Sequence, residues 1–251
     1  MIHFVGAGPG APDLITLRGK ALIEEADVII YAGSLVNPAL LDYSKAGCEK
    51  FNSASMTLDE VLRVIEDGYY GGKTVVRLHT GDPSLYGAIR EQMDALRRKS
   101  IPFDITPGVS SFSGAAACLQ AEYTLPGVSQ SLILTRMAGR TPVPERESIR
   151  SFAAHGASMA IFLSTGMLEA LSKELLAGGY TTDTPAAIVY KATWPDEKAI
   201  TCTVGNLAAA GAAEGIRKTA LILVGNFLGS DYELSKLYDP TFSHGHREGR
   251  E

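Results

Sequence analysis

No run of roughly eighteen uncharged apolar residues occurs in this sequence, so nothing in it reads as a membrane-crossing helix. The opening Met1-Ile2-His3-Phe4-Val5 lacks the basic segment that begins a secretory leader and reads directly as a strand. A basic surplus is missing too. The formal net charge is -5, whereas proteins that track phosphate backbones carry clustered positive charge, so nucleic acid is not the expected partner. Cysteine is scarce: Cys48, Cys118 and Cys202 stand alone without CxxC spacing, which excludes a disulfide framework and a thiolate metal site. They read as reduced packing residues of a cytoplasmic protein. The His244-Gly245-His246 pair near the end has no third ligand beside it, so no metal site is expected.

What is present describes a folded α/β protein. Hydrophobic residues make up 45% and charged residues 20%, far from the disordered classes, and 251 residues suffice for two domains with separate cores. Five β-branched runs punctuate the first half: Ile2–Gly6, Asp27–Tyr31, Cys48–Phe51, Thr74–Leu78 and Phe103–Thr106. Between them, Asp13–Glu25 and Thr57–Gly68 repeat apolar residues at helical spacing, the second behind a cap-like Thr57-Leu58-Asp59-Glu60. A further helix is predicted over Ser84–Lys99, and Pro107-Gly108 opens a helix of small residues. This alternation predicts a mostly parallel sheet.

The Pro126-Gly127 stretch marks a crossing into a second unit, with strands predicted at Ser131–Thr135, Ser158–Leu163, Ala187–Tyr190, Ile200–Val204 and Thr219–Val224. The adjacency of the last two predicts some antiparallel pairing. The expected domains are 1–121, 122–230 and a loose polar tail over 231–251.

Two loops carry candidate chemistry. Gly6-Ala7-Gly8-Pro9-Gly10-Ala11-Pro12-Asp13 lies between a strand and a helix and superficially fits the dinucleotide fingerprint. Pro9 and Pro12, however, remove two N–H groups that a pyrophosphate would need, and the second strand ends in Tyr31-Ala32-Gly33 instead of the ribose-binding acid. An NAD-dependent oxidoreductase is the weaker reading; a plain tight turn is another. The second loop is His79-Thr80-Gly81-Asp82-Pro83, again after a strand. Its Asp82 either accepts a hydrogen bond from a ligand or caps the following helix.

Together with Pro107-Gly108-Val109-Ser110-Ser111, these two loops resemble the tetrapyrrole methyltransferases over roughly residues 1 to 228. Within that family, Tyr31-Ala32-Gly33-Ser34-Leu35-Val36, His79-Thr80-Gly81-Asp82-Pro83, Gly139-Arg140-Thr141-Pro142-Val143-Pro144-Glu145 and Tyr190-Lys191-Ala192-Thr193-Trp194-Pro195-Asp196-Glu197-Lys198 resemble the precorrin-4 C11-methyltransferases. The uroporphyrinogen III enzymes usually carry a Gly-Gly-Asp-Pro loop and an acid after the second-strand tyrosine, both absent here.

The resemblance implies two α/β domains with S-adenosylmethionine in the inter-domain cleft, a homodimer, and an anionic tetrapyrrole as substrate. A same-fold methyltransferase acting at another ring position, or on a protein side chain, is the alternative. By resemblance, Pro9 borders the cofactor; Thr80, Gly81, Asp82 and Leu85 contact its methionyl and ribose parts; Ser110 and Ser111 lie at a helix start; Leu163, Ala192 and Ala220 hold the adenine.

Methyl transfer of this kind needs no metal, because placing two reactants in near-attack geometry supplies about 7–11 kcal/mol of a barrier. The carboxylates of the macrocycle call for cations, and Arg136, Arg140, Lys191 and Lys198 are the basic residues nearest the motifs. His79 is the one candidate for proton handling, with orientation of its loop as the plainer role. Trp194 either lines the macrocycle or packs a corner.

Overall fold

The computed structural model describes residues 1–250, which divide into two compact units. Met1–Ala115 and Lys191–Glu197 form the first; Ala116–Tyr190 and the residues from Lys198 onward form the second. The division thus falls after Ala115, six positions before the predicted boundary at 121, and seven residues from late in the chain join the first unit.

In the first unit, β1 (Ile2–Gly6), β2 (Val28–Tyr31), β3 (Glu49–Asn52), β4 (Val75–His79) and β5 (Phe103–Thr106) form one sheet in the order β3-β2-β4-β1-β5, every pair parallel. The period of two in a strand sorts the side chains. Ile2, Phe4, Ile30 and Val75 meet Val61 and Ile65 of α2 (Leu58–Tyr70) and Leu96 of α3 (Arg90–Arg98) on one face. Val5, Ile29, Val76 and Leu78 meet Ile23 of α1 (Leu17–Glu25) on the other. The predicted capping box forms: the Glu60 N–H donates to Thr57 Oγ1 and the Thr57 N–H to Glu60 Oε2.

The helix predicted from Ser84 begins only at Arg90. Tyr86 and Ala88 have φ of +56° and +49°, a left-handed backbone that no L-residue helix continues through. Gly87 between them lies so close to Pro83 that a Cβ there would sit 2.2 Å from its carbonyl oxygen. The last element of this stretch is α4 (Ser111–Cys118), within which the division of the chain falls.

The second unit has a mixed sheet, β6 (Leu132–Arg136), β7 (Ser158–Phe162), β8 (Pro185–Tyr190), β9 (Lys198–Thr203) and β10 (Ala220–Val224), in the order β6-β7-β10-β8-β9. Only β6 and β7 run parallel. Antiparallel pairing was expected between β9 and β10 as neighbours; instead both pair antiparallel with β8, which lies between them. Met159, Ile161, Ile188 and Ile222 pack against α5 (Ile149–Ala153), α6 (Leu168–Ala177) and α7 (Leu207–Ala213) through Ile149, Leu171, Leu175 and Leu207. The tail expected to be loose has order of its own: Arg247 donates to the carbonyls of Leu237, Asp239 and Phe242, and Glu233 N–H to Pro126 O.

Candidate active site

The order of the first sheet creates one distinctive position. Neighbours β1 and β4 send the chain in opposite directions, β1 to β2 on one side and β4 to β5 on the other. Where two parallel strands part in this way a crevice opens beyond their carboxyl ends, and that is where open α/β sheets bind ligands. Both candidate loops leave from this point. They are joined by a two-residue bridge, Gly8 N–H to Gly81 O at 3.3 Å and Gly81 N–H to Gly8 O at 2.9 Å.

Three glycines from three strand ends hold the loops together. A Cβ on Gly6 would lie 2.6 Å from Gly108 Cα and from Gly81 O; one on Gly108 would lie 2.2 Å from Gly81 O. All these neighbours are backbone, so a side chain on Gly6 or on Gly108 would pry the close contact open. Gly81 is different: its Cβ position is in ordinary contact distance at 3.5 Å, but its φ of +59° favours glycine.

Asp82 fastens this arrangement. Its Oδ1 accepts from the Ser84 N–H at 2.8 Å and from the Ser84 hydroxyl, and its Oδ2 accepts from the Gly108 N–H at 2.8 Å. The cap expected as one reading of Asp82 is absent, since α3 starts eight residues later. Partial burial works to raise its pKa, but the bonds from Ser84 and Gly108 outweigh this and hold the carboxyl below its ordinary value. Its contribution is therefore present above pH 3.8 and fades as pH falls through the lowered value. Asp82→Ala removes three hydrogen bonds to a charged acceptor and should cost about 2 kcal/mol by urea denaturation. An unchanged midpoint would remove Asp82 from this bracing role.

The Gly6–Pro12 loop has few amide donors to offer. Pro9 and Pro12 have none, Gly8 donates to Gly81, and the Ala11 N–H donates to Thr193 Oγ1 at 2.9 Å. A pyrophosphate would find a poor cradle, which disfavours the dinucleotide reading. The small residues of α4 admit the chain itself: Gly114 faces Pro9 and Thr193, each 3.1 Å from the place a Cβ would take.

Of the expected cofactor positions, Pro9, Thr80, Gly81, Asp82, Leu85, Ser110, Ser111 and Ala192 all belong to the first unit. Pro9, Gly81, Ser110 and Ala192 are buried, Asp82, Leu85 and Ser111 partly so, and Thr80 is exposed. Leu163 and Ala220 belong to the second unit, where Thr165 Oγ1 donates to Ala220 O at 2.9 Å. Leu163, just past β7, is 66% exposed with φ of +55°, an exposed large apolar side chain on a left-handed backbone.

The family model described as tetrapyrrole (corrin/porphyrin) methylases matches residues 1–208. The chain belongs to the tetrapyrrole methylases. It is 54% identical to the cobalt-precorrin-4 C(11)-methyltransferase of Methanocaldococcus jannaschii, over 98% of this chain and 96% of that protein. The solved structure of a cobalt precorrin-4 methyltransferase of cobalamin biosynthesis superposes with a TM-score of 0.89 at 48% identity, covering 91% of this chain and 96% of the other. A uroporphyrin-III C-methyltransferase from Thermus thermophilus, complexed with S-adenyl homocysteine, gives 0.75 at 27% identity over 90% and 98%. The expected fold is that of this methylase family.

The surroundings of two sets of expected site residues in this methylase bear on their roles. His79 is 4% exposed, stacks on Phe4 and leaves Nε2 without a hydrogen-bond partner among the described residues. Burial first, then the neighbouring charge of Arg77, pushes its pKa down to about 3. It is neutral near pH 7, because the interior solvates an imidazolium poorly, which favours the plainer of its two expected roles, orienting its loop, over proton handling.

The basic residues are the second set, and most are already engaged. Arg136 donates to the carbonyls of Met137, Thr141 and Pro142 and so closes its own loop, and it would have to leave these partners to serve one acidic rim jointly with Arg140. Lys191 pairs with Asp196 at 2.6 Å and Lys198 with Glu214 at 2.9 Å. Arg140 is exposed, with no side-chain partner among the described residues.

Sequence reasoning missed Arg77, whose single charged letter in a strand was the only signal. It is 6% exposed and donates to Gln92 Oε1 at 3.3 Å and Ile30 O at 3.1 Å. Burial alone lowers its pKa to about 10. Trp194, whose type suits either a macrocycle wall or a packed corner, sits with the glycine loop: Nε1 donates to Pro9 O at 3.0 Å.

Proposed function

We propose that this methylase transfers a methyl group from S-adenosylmethionine to carbon 11 of precorrin-4 or its cobalt complex, in cobalamin biosynthesis, and does so as a cytoplasmic homodimer. The observation that carries the reading is the construction of the switch point, in a chain 54% identical to a cobalt-precorrin-4 C(11)-methyltransferase. S-adenosyl homocysteine in the related uroporphyrin-III enzyme supports the same cofactor here.

The residues fit such a ligand. A loop with two prolines and with the Ala7, Gly8 and Ala11 amides already donated suits a nucleoside without phosphate, and the Asp82 carboxylate, kept ionised, suits the positive charge of a sulfonium and an ammonium. When bound, S-adenosylmethionine supplies an electrophilic methyl group. Pro9 and Gly81 limit where the ligand lies; Thr80, Asp82 and Leu85 hold its methionyl and ribose parts; Ser110 and Ser111 border it at the start of α4. Ala192, Leu163 and Ala220 are the proposed adenine contacts. The residues act by placement, which is sufficient for an in-line displacement. Arg140 remains the best-supplied cation for a macrocycle carboxylate, with Lys191, Lys198 and Arg136 retained only where they exchange present partners for it.

In calorimetric titration, S-adenosylhomocysteine should bind and NAD should not; the reverse result overturns the reading. Incubation with S-adenosylmethionine and precorrin-4 or its cobalt complex should give a product heavier by one methyl group, whose position nuclear magnetic resonance fixes at carbon 11. Methylation elsewhere on the ring would move the chain to another methylase of the same fold. A monomer by light scattering would remove the dimer.

A further inference from the structure

This inference rests on the proposed cofactor and concerns the only tryptophan in the sequence. In chain order Trp194 lies between β8 and β9, yet residues 191–197 belong with the first unit and sit on the glycine loop. The indole takes the space beside Gly10, so that a Cβ on Gly10 would lie 2.1 Å from Trp194 Cδ1. Its Nε1 donates to Pro9 O, and one residue before it the Thr193 hydroxyl accepts from Ala11. From the other side Asn37 Nδ2 donates to Gly10 O at 2.9 Å. Three consecutive loop residues are thus held by side chains remote in sequence.

The segment carries its own constraints. Lys191 and Thr193 have φ of +47° and +70°, and Lys191 reaches over the indole at 5.4 Å from the ring centroid while pairing with Asp196. Glu197 Oε2 accepts from the Thr193 N–H at 2.5 Å. Strain of this kind persists only where surrounding contacts hold it in place. A loop with two prolines and glycine at Gly8 and Gly10 has little means of fixing itself; the indole supplies a flat wall and one directional hydrogen bond.

We propose that Trp194 is a positioning residue for the cofactor, setting Pro9 and Gly10 in the conformation that accepts S-adenosylmethionine, and that its fluorescence reports cofactor binding. It acts through the loop, and through Ala192 two residues before it, without a part in the methyl transfer.

The experiment has two arms on the full chain. Titration of the wild type with S-adenosylhomocysteine, followed by calorimetry and by emission of the single tryptophan, should give the same dissociation constant by both. Trp194→Phe keeps a smaller aromatic wall and loses the N–H together with the second ring. It should weaken S-adenosylhomocysteine binding and raise KM for S-adenosylmethionine by about fivefold to tenfold, with kcat nearly unchanged. Gly10→Ala should weaken binding further, and Gly10→Ala with Trp194→Ala should recover part of that loss. Thermal melting of each variant separates loss of fold from loss of placement.

If the wild type binds by calorimetry while its emission is unchanged, or Trp194→Phe retains wild-type KM, the positioning role is overturned and the cofactor stands. If Trp194→Phe loses kcat and keeps KM, the indole belongs to the reaction itself and positioning is likewise overturned. No binding of S-adenosylhomocysteine to the wild type overturns both.

Discussion

Gly108→Ala is expected to lose about 3 kcal/mol of stability or more and to lose S-adenosylhomocysteine binding along with it. The added methyl would meet Gly81 O at 2.2 Å and Gly6 Cα at 2.8 Å. Neither neighbour is the tip of a flexible side chain. Relief would require the ends of β1, β4 and β5 to separate, and those ends also carry the Gly8–Gly81 bridge and the Asp82 bond to the Gly108 N–H. Damage would therefore concentrate at the switch point. The control is Gly245→Ala, where nothing lies within 4 Å of the added carbon, and it should leave the melting temperature in place. Chemical denaturation and calorimetry read the two effects. A Gly108→Ala protein with wild-type stability would show that the three strand ends can part freely, and that the glycines do not brace the site.

The second large effect is in the pH dependence of stability. The folded pKa of His79 is about 3 against an ordinary value of 6.5, so between those limits the unfolded chain binds a proton that the folded chain does not. Stability from the neutral ring is therefore fully present above pH 6.5 and is lost as pH falls toward the folded value, by about 1.4 kcal/mol per pH unit within the window. His79→Leu removes this dependence. It also removes a buried nitrogen without a partner, so the leucine protein should be at least as stable near pH 7 and should lose less on acidification. Denaturation curves for both proteins at about pH 6 and about pH 4.5 should differ in slope by close to one proton. Parallel curves would mean that the folded protein protonates His79 readily, which would restore it as a candidate proton carrier.

The particular elements explain what could be read in advance. The ten strands were placed from short β-branched runs, because a buried parallel strand such as Val75–His79 has to be apolar on both faces. The Thr57–Glu60 cap was legible because its partners are three residues apart. The stretch from Ser84 to Ile89 was not: its residues suit a helix, but the backbone is left-handed at Tyr86 and Ala88, and Gly87 between them closes on Pro83, ahead of the start of α3 at Arg90. His79 and Arg136 were read by residue type, while their availability depends on burial and on which carbonyls lie nearby.

Sequence alone determined the class of fold, the two glycine-bearing loops at strand ends, and, through Pro9 and Pro12, that a phosphate cradle is the weaker reading of the first loop. These depend on backbone chemistry and periodicity within a few residues. Tertiary structure alone decided that β4 lies between β2 and β1, that Asp82 reaches Gly108, and that Trp194 closes on Pro9 from 185 positions away. The reason is that a residue's type records how it prefers to be buried, whereas the partner it meets there is set by the order in which the strands join the sheet.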